Sequence, residues 1–462
     1  MSITPQTLHY HLNRLAGDAE NFLIAFSGGV DSHVLLHLCA QLKNLPSGCS
    51  QSFSAVYVDH GLSPNAKKWG QHCQHICYEL DMPLTIVEVN ARAENGQSPE
   101  AAARTARYQA FSQILRKGEY LLTAQHLDDQ AETLLLQLLR GSGTRGLSAM
   151  PSIKPFAQGW LCRPMLDDKK QAIIAYARQH QLQWVEDESN QEQQFDRNFL
   201  RHTILPELEQ RWPAAQRNLA KSAQVLGESQ YLLDQMAEAD LRKVLEDEHK
   251  SQDYTKIALQ ETRALLETEN KQAQFKRSRL HNLLRYWIHI NHLPLPSRKI
   301  LEQIVQNVIF SRADASPLVC WKRDHFQCEL RKYRDSLYLI NISHQIQLDR
   351  DTLDREYPLL IDQILKIPGI GNIEVQSVPE SQPQDLMVRF RQGGEHFRKY
   401  HQAPSKLLKH WFQDQAVPPW ERDKIPLIYL ADELVQVGNT IVNHSLLTKD
   451  KNNSVIICWK RH

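Results

Sequence analysis

The sequence has no run approaching the roughly 18 consecutive apolar residues that a membrane-spanning helix needs. It has almost no excess charge: 54 Lys and Arg against 53 Asp and Glu leave a net of +1. Many nucleic-acid binders carry a large positive excess, so contact with a polyanion here has to come from local patches. Cysteines are few, eight in 462 residues, and no two form a CxxC pair. That spacing argues against a ribbon-type zinc site or a CxxC-held cluster and leaves free thiols in a reducing compartment as the expectation. The opening stretch MSITPQTLHYHLNRLAG lacks the basic-then-apolar layout of a secretory signal. Together these absences lead to the expectation of a soluble, cytoplasmic chain with no membrane partner. Internal repeats and long low-complexity runs are missing too. What is present is length enough for roughly two to four domains.

From about residue 21 to 215 short apolar runs alternate with helical patterns. The strand candidates are Phe22–Phe26, Ser54–Val58, Leu84–Val89 and Tyr120–Ala124; the helix candidates are His33–Leu42, Asn65–Leu80, Glu100–Lys117 and Asp129–Arg140. That rhythm predicts a doubly wound parallel sheet, an α/β fold, over residues 1–215. Residues 216–330 read as a small α-helical domain and 331–384 as a linker region with strands. Ser377–Gln384 (SVPESQPQ) has the clearest linker composition, and 385–462 reads as a C-terminal α+β domain. Ligands of doubly wound sheets bind at the carboxyl ends of the strands, so the loops there carry the functional question.

The first strand runs into Ser27-Gly28-Gly29-Val30-Asp31-Ser32 and then a helix. Two glycines let a backbone turn sharply and approach a ligand. The serines offer hydroxyls, and a helix start offers free N–H groups and the positive end of its dipole. This is a phosphate site. The one acid in it, Asp31, would repel phosphate unless a cation bridges them, which points to Mg²⁺. The loop is neither a Walker A sequence nor GxGxxG.

The fourth strand runs into Gln125-His126-Leu127-Asp128-Asp129-Gln130-Ala131-Glu132-Thr133. One His and two Asp at a strand end can hold a metal and manage protons. Asp129 and Glu132 lie on one helix face. Taken alone, Asp128 also fits an acid favoured by a helix N-terminus. Arg104 and Arg107, with Tyr108 beside them, suit an anionic ligand or a solvated face. Arg197, Asn198 and Arg201 offer a second cationic group, and 385–424 interleaves eight Lys and Arg with aromatics, a mix suited to RNA.

SGGVDS resembles the pyrophosphate loop of the N-type ATP pyrophosphatases, which split ATP into AMP and pyrophosphate. The string from Gln125 to Gly143 resembles the HHxDDxxET…RGSG signature of the tRNA(Ile)-lysidine synthetases. His126, Asp128, Asp129, Glu132 and Thr133 match; the first His of the pattern is Gln125 here, so no catalytic weight is placed on that position. EAAARTARY (Glu100–Tyr108) and DESNQEQQFDRNFLRHTILP (Asp187–Pro206) resemble two further stretches of that family, and Asp59–Ser63 carries its HGLS sequence. The C-terminal domain resembles that of the longer members.

The resemblance implies a cytidine O2 attacking the α-phosphate of ATP, then L-lysine attacking C2 as AMP departs, on an isoleucine tRNA with a CAU anticodon. The site residues expected from it are Asp31, His126 and Asp129 as catalytic groups and Ser27, Gly28, Gly29, Val30, Asp31 and Ser32 around ATP. Asp31, Asp128 and Asp129 are expected on Mg²⁺, and Arg104, Arg107, Glu132, Arg197, Asn198 and Arg201 on substrate. His126 is the expected proton handler and Asp129 the amine or metal partner. Rival expectations are a tRNA thiolase on the same loop, weakened by the lack of CxxC, an amidotransferase, weakened by the lack of a glutaminase motif, and a non-catalytic tRNA-binding module.

Overall fold

In the computed structural model the described residues are 3–17, 19–43, 51–61, 65–90, 99–186, 196–245, 254–265, 273–312, 315–323, 326–343, 348–360, 363–376, 386–398, 400, 403–443 and 456–461. The expected linker Ser377–Gln384 and residues 187–195 of the family-like stretch Asp187–Pro206 lie outside them. The chain divides into two compact units, Met1–Leu232 and Leu233–His462.

In the first unit β1 (Asn21–Ala25) lies between β2 (Ser52–Asp59) and β4 (Tyr120–Leu122), parallel to both. β3 (Leu84–Glu88) extends the sheet beyond β2, and β6 (Gly159–Cys162) beyond β4. The full strand order is 3-2-1-4-6-5. β5 (Ile153–Phe156) joins β6 antiparallel, a departure from the all-parallel expectation. It is an edge strand, where Pro155 costs no ladder hydrogen bond. Successive side chains face opposite layers: Phe22, Ile24, Ala55 and Tyr57 enter one core, while Leu23, Val56 and Val58 enter the other with Phe111 and Leu121. Both faces are covered, which is why β1 reads as a continuous apolar run.

The helices of this unit are α1 (Pro5–Ala16), α2 (Val30–Leu42), α3 (Ala66–Glu79), α4 (Pro99–Ile114), α5 (Leu127–Leu139), α6 (Thr144–Leu147) and α7 (Lys170–Gln179). After them come α8 (Asp196–Phe199), a π-helical turn over Leu200–Ile204, α9 (Leu205–Arg211) and α10 (Ala215–Val244). α2 packs against α1 and α7 and is buried all round, so it shows no amphipathic stripe. Two helices start earlier than the apolar periodicity suggests. Gly29 takes an extended N-cap conformation before α2, and His126 does so before α5. Asp31, Asp128 and Asp129 therefore sit in first turns, where the helix dipole favours a negative charge.

The second unit departs further from expectation. The stretch read as all-helical holds β7 (Tyr254–Ala258), β8 (Leu318–Arg323) and most of β9 (Phe326–Tyr333). With β10 (Ser336–Asn341) they form a sheet ordered 7-10-9-8. It packs with the helix Ala273–Ile290 around the fully buried Trp287. Further on, Gly371–Gln376 pairs with both Ile364–Ile367 and Ile456–Lys460. Residues Leu359, Ile367, Ile373 and Val375 share one core with Leu386, Val388, Ile428 and Val435. The later strands of the expected linker region, from Tyr357 on, thus belong to the C-terminal core, because a lone hairpin cannot bury its own apolar face. Phe412 is fully buried, so it is not a base-stacking platform; Trp411 packs beside it, partly buried.

Candidate active site

The ends of β1 and β4 adjoin at the point where the strand order reverses: the chain leaves β1 towards β2 on one side and returns from β3 to β4 on the other. A crevice is expected there, and a cavity of about 640 Å³ occupies it. Its walls include Ser27, Gly29, Asp31 and Ser32 from the first loop, Gln125 and Asp129 beyond β4, Arg104 and Arg107 from α4, and Arg197, Asn198 and Arg201 from the segment after α7.

The loop after β1 is braced from within. Ser32 Oγ donates to Gly29 O at 3.0 Å and accepts from Ser27 N at 3.2 Å, leaving the Ser27 hydroxyl to donate to Ser32 Oγ at 3.1 Å. Both hydroxyl protons serve the loop itself, so the backbone N–H groups at the start of α2 are its means of meeting phosphate. Gly28 has φ +80° and a Cβ there would lie 3.1 Å from Cys73 Sγ; only glycine fits both the turn and the neighbour. Gly28 O accepts from Val185 N at 3.0 Å, and His33 Nδ1 bonds Gln183 O at 2.7 Å. Burial is the first cause pushing the Cys73, Cys77 and Cys162 thiols up to about 12, so they stay un-ionised and poorly nucleophilic at neutral pH.

Asp31 meets a residue that the sequence patterns did not single out. Lys170, the first residue of α7, places Nζ 2.6 Å from both Asp31 carboxylate oxygens. Its backbone N–H donates to Asp128 Oδ1 at 3.1 Å, and Leu127 N donates to Asp168 O at 2.9 Å. The turn from β6 into α7 thereby ties the first turns of α2 and α5 together. Lys170 lies in no family string quoted above; the only sequence signal for it is its place at the start of a helix after an apolar run.

His126 sits at the hub of the acids. Its Nε2 lies 3.4 Å from Asp129 Oδ2 and 3.8 Å from Asp31 Oδ1, and its Nδ1 lies 3.7 Å from Asp128 Oδ1. The ring is 3% exposed and is not part of the cavity wall. His126, the expected proton handler, stands behind Asp31 and Asp129. Asp129 does face the cavity. Burial alone would raise its pKa, but His126, Arg197 and Arg201 outweigh that and hold it below the usual carboxylate value.

Glu132, expected on substrate, is fully buried. Arg197 Nε donates to its Oε2 at 3.0 Å, and Arg201 reaches Oε1 at 2.7 Å and Oε2 at 2.9 Å. Both oxygens are taken, so Glu132 holds the two arginines instead of a ligand. The π-helical turn that carries Arg201 widens the helix just where Arg197 and Arg201 must converge on one carboxylate; such turns recur at functional sites. Asn198, between them, is buried and lines the cavity. On the opposite wall Arg107 Nη2 donates to His60 Nε2 at 3.0 Å, and Arg104 lies over the Tyr108 ring at 5.1 Å.

Among the described residues no set of three or more His, Cys, Asp or Glu side chains could hold a metal ion by itself. Mg²⁺ keeps several waters and takes one or two carboxylates together with phosphate oxygens. The donor set at the cavity, Asp31 and Asp129, fits an ion shared with a triphosphate. Asp128 faces Lys170 N and His126 and is not part of the wall.

Three family profiles match the chain: a PP-loop domain over residues 5–208, a TilS substrate binding domain over 270–338, and a TilS substrate C-terminal domain over 386–459. The tRNA(Ile)-lysidine synthase of Coxiella burnetii is 37% identical over 94% of this chain and 92% of its own length. That of Serratia proteamaculans is 37% identical over 98% and 99%. Among solved structures, a U34-tRNA thiolase from Methanococcus maripaludis with its [4Fe-4S] cluster aligns with 48% of this chain and 78% of its own, at TM-score 0.42 and 15% identity.

Proposed function

The chain belongs to the tRNA(Ile)-lysidine synthase family, and from that premise we propose how its cavity performs the reaction. The protein is an ATP-dependent ligase that modifies tRNA(Ile). Its proposed substrates are ATP, L-lysine and the first anticodon cytidine of a CAU-bearing isoleucine tRNA. The observation that carries this reading is the meeting of the phosphate loop with the Asp129 carboxylate across one cavity.

In the first step cytidine O2 bonds to the α-phosphorus and the bond from that phosphorus to pyrophosphate breaks. Backbone N–H groups at the start of α2 bind the phosphates, with Lys170 beside them. Asp31 and Asp129 would hold Mg²⁺ with the phosphate oxygens, and the ion would neutralise triphosphate charge. In the second step the lysine ε-nitrogen bonds to C2, the C2–O2 bond breaks, and AMP leaves with that oxygen. The amine must first lose a proton: with a pKa near 10.4, only about one molecule in a few thousand is neutral at pH 7. Asp129 binds the ammonium, and a carboxylate there favours the charged form. His126, 3.4 Å behind Asp129, is the group to which the proton moves on. Arg104, Arg107, Asn198 and the outer edges of Arg197 and Arg201 line the path for the nucleic acid or the triphosphate. A cytosolic setting suits this chemistry, since ATP and tRNA meet there.

The test is direct. The protein is mixed with ATP, radiolabelled lysine and an unmodified CAU isoleucine tRNA transcript, and label is sought in RNA. Incorporation that requires ATP supports the reading. Pyrophosphate release without label in RNA, appearing only when another acceptor is supplied, would overturn it.

A further inference from the structure

Gln125 stands where the family pattern has a histidine, and its surroundings give it a defined role. Gln125 is one of the residues that line the cavity, as are Ala124 and Asp129. Its carbonyl Oε1 accepts from Thr123 Oγ1 at 2.5 Å and from Arg163 Nε at 3.1 Å. A guanidinium can only donate, so the orientation of the amide is decided by chemistry: the oxygen faces Arg163 and the nitrogen faces away. Arg163 is itself 3% exposed, donates to Pro151 O at 2.7 Å and bonds Tyr108. It cannot swing aside. The Nε2 end of Gln125 carries two N–H donors, and none of the hydrogen bonds drawn above uses them.

We propose that Gln125 is a substrate-contacting residue whose locked amide presents N–H donors to a proton-free acceptor on the reacting ligand, an oxygen or ring nitrogen of the target base or an oxygen of the α-phosphate. The proposal rests on the ligase reading of the same cavity. Three features favour this use. The amide is held by two donors at one end, so little conformational freedom is lost when the other end binds. A buried cation behind the carbonyl polarises the amide and strengthens its N–H groups as donors. Finally, an amide keeps its donors at every pH, whereas an imidazole in the same place loses one on deprotonation. Charge that builds on a base nitrogen as the amine attacks C2, or on phosphate oxygens as O2 attacks phosphorus, would be met by a donor already in position.

The deciding variant is Gln125→Glu. It is isosteric, keeps an oxygen for Thr123 and Arg163, and replaces the N–H₂ by an acceptor. Gln125→His returns a ring N–H. Lysine incorporation into the CAU isoleucine transcript, pyrophosphate release and ATP affinity are measured for the wild type and both variants, with thermal midpoints as the fold control. Gln125→Glu is expected to lose at least about 10-fold in kcat/KM at an unchanged or higher midpoint, and Gln125→His to recover most of it. A loss in lysine incorporation with ATP affinity and pyrophosphate release intact places the acceptor on the base. A parallel loss in ATP affinity or pyrophosphate release places it on phosphate. Gln125→Glu working within twofold of wild type in all three assays overturns the proposal. A wild type that incorporates no lysine would instead count against the ligase reading, a distinct outcome.

Discussion

Glu132 has no exposed surface, yet it is a carboxylate, and Arg197 and Arg201 are what make its burial tolerable. The partners are not equivalent. The arginines keep about a third of their surface (28% and 36%) in solvent, so they can rehydrate if Glu132 loses its charge. Glu132 cannot rehydrate if an arginine is removed. Arg201→Ala should therefore cost about 3 kcal/mol and Glu132→Gln less, about 1–2 kcal/mol, since a buried carboxylate left with only Arg197 as its cation is the larger penalty. Urea unfolding of both variants checks the order, and the reverse order would contradict this account. His37 is a second case at this scale. Burial, then His180 and His33, lower its pKa to about 4 from 6.5. The neutral form is the one that fits, bonded to Tyr176 Oη at 2.9 Å. A base whose folded pKa lies below its unfolded one gives stability that is full above pH 6.5 and is lost as pH falls from 6.5 towards 4. The full amount is on the order of 3 kcal/mol. His37→Gln should lose less thermal midpoint between pH 7 and 5 than the wild type, as read by circular dichroism. Equal losses would refute the assignment.

At the scale of elements, helix starts decide the site. α2, α5 and α7 each begin beside the cavity, and their first turns carry Asp31, Asp129 and Lys170. Lys170→Ala leaves helix α7 its other contacts but strips Asp31 of its cation. Pyrophosphate release should fall at least about 10-fold with far-ultraviolet circular dichroism unchanged, since a small misplacement of a carboxylate beside the reacting phosphates costs that much or more. Activity within twofold of wild type would remove Lys170 from the machinery. In the second unit Gly371 joins a tight turn to a strand at φ +125°, and a Cβ there would lie 2.2 Å from Lys460 O. Gly371→Ala has to push the last strand from its partner, at a cost above about 2 kcal/mol. The unfolding midpoint reads this directly; a variant as stable as the wild type would show that the pairing of Gly371–Gln376 with Ile456–Lys460 can relax.

At the scale of the whole molecule, the net charge of +1 bears on selectivity. Non-specific RNA affinity grows with the number of phosphates neutralised and falls steeply with salt. A nearly neutral chain that places Arg104, Arg107, Arg197 and Arg201 at one cavity should bind a CAU isoleucine tRNA at least about 10-fold more tightly than an unrelated tRNA at 150 mM salt, measured by filter binding. Equal affinities would mean that bulk charge, and not the fit of the site, governs recognition.

Much of this was legible in the chain itself. The six-residue loop, the strand before it and the string from His126 to Thr133 identified a phosphate site and the family resemblance, because backbone conformation at a glycine turn and a helix start depends on neighbours in sequence. Strands β1, β2 and β4 could be read because both their faces are largely buried, which leaves continuous apolar runs. The sequence could not tell that Glu132 closes on two arginines more than 60 residues away, that His126 stands behind the acids instead of facing the cavity, or that Lys170 neutralises Asp31. It also could not place the strands β7–β9, where no apolar run exceeds the four residues Leu318–Trp321 and the strands are fixed by their pairing. Those outcomes depend on which charges the fold brings within a few ångströms and which of them it removes from water, and only the tertiary structure decides that.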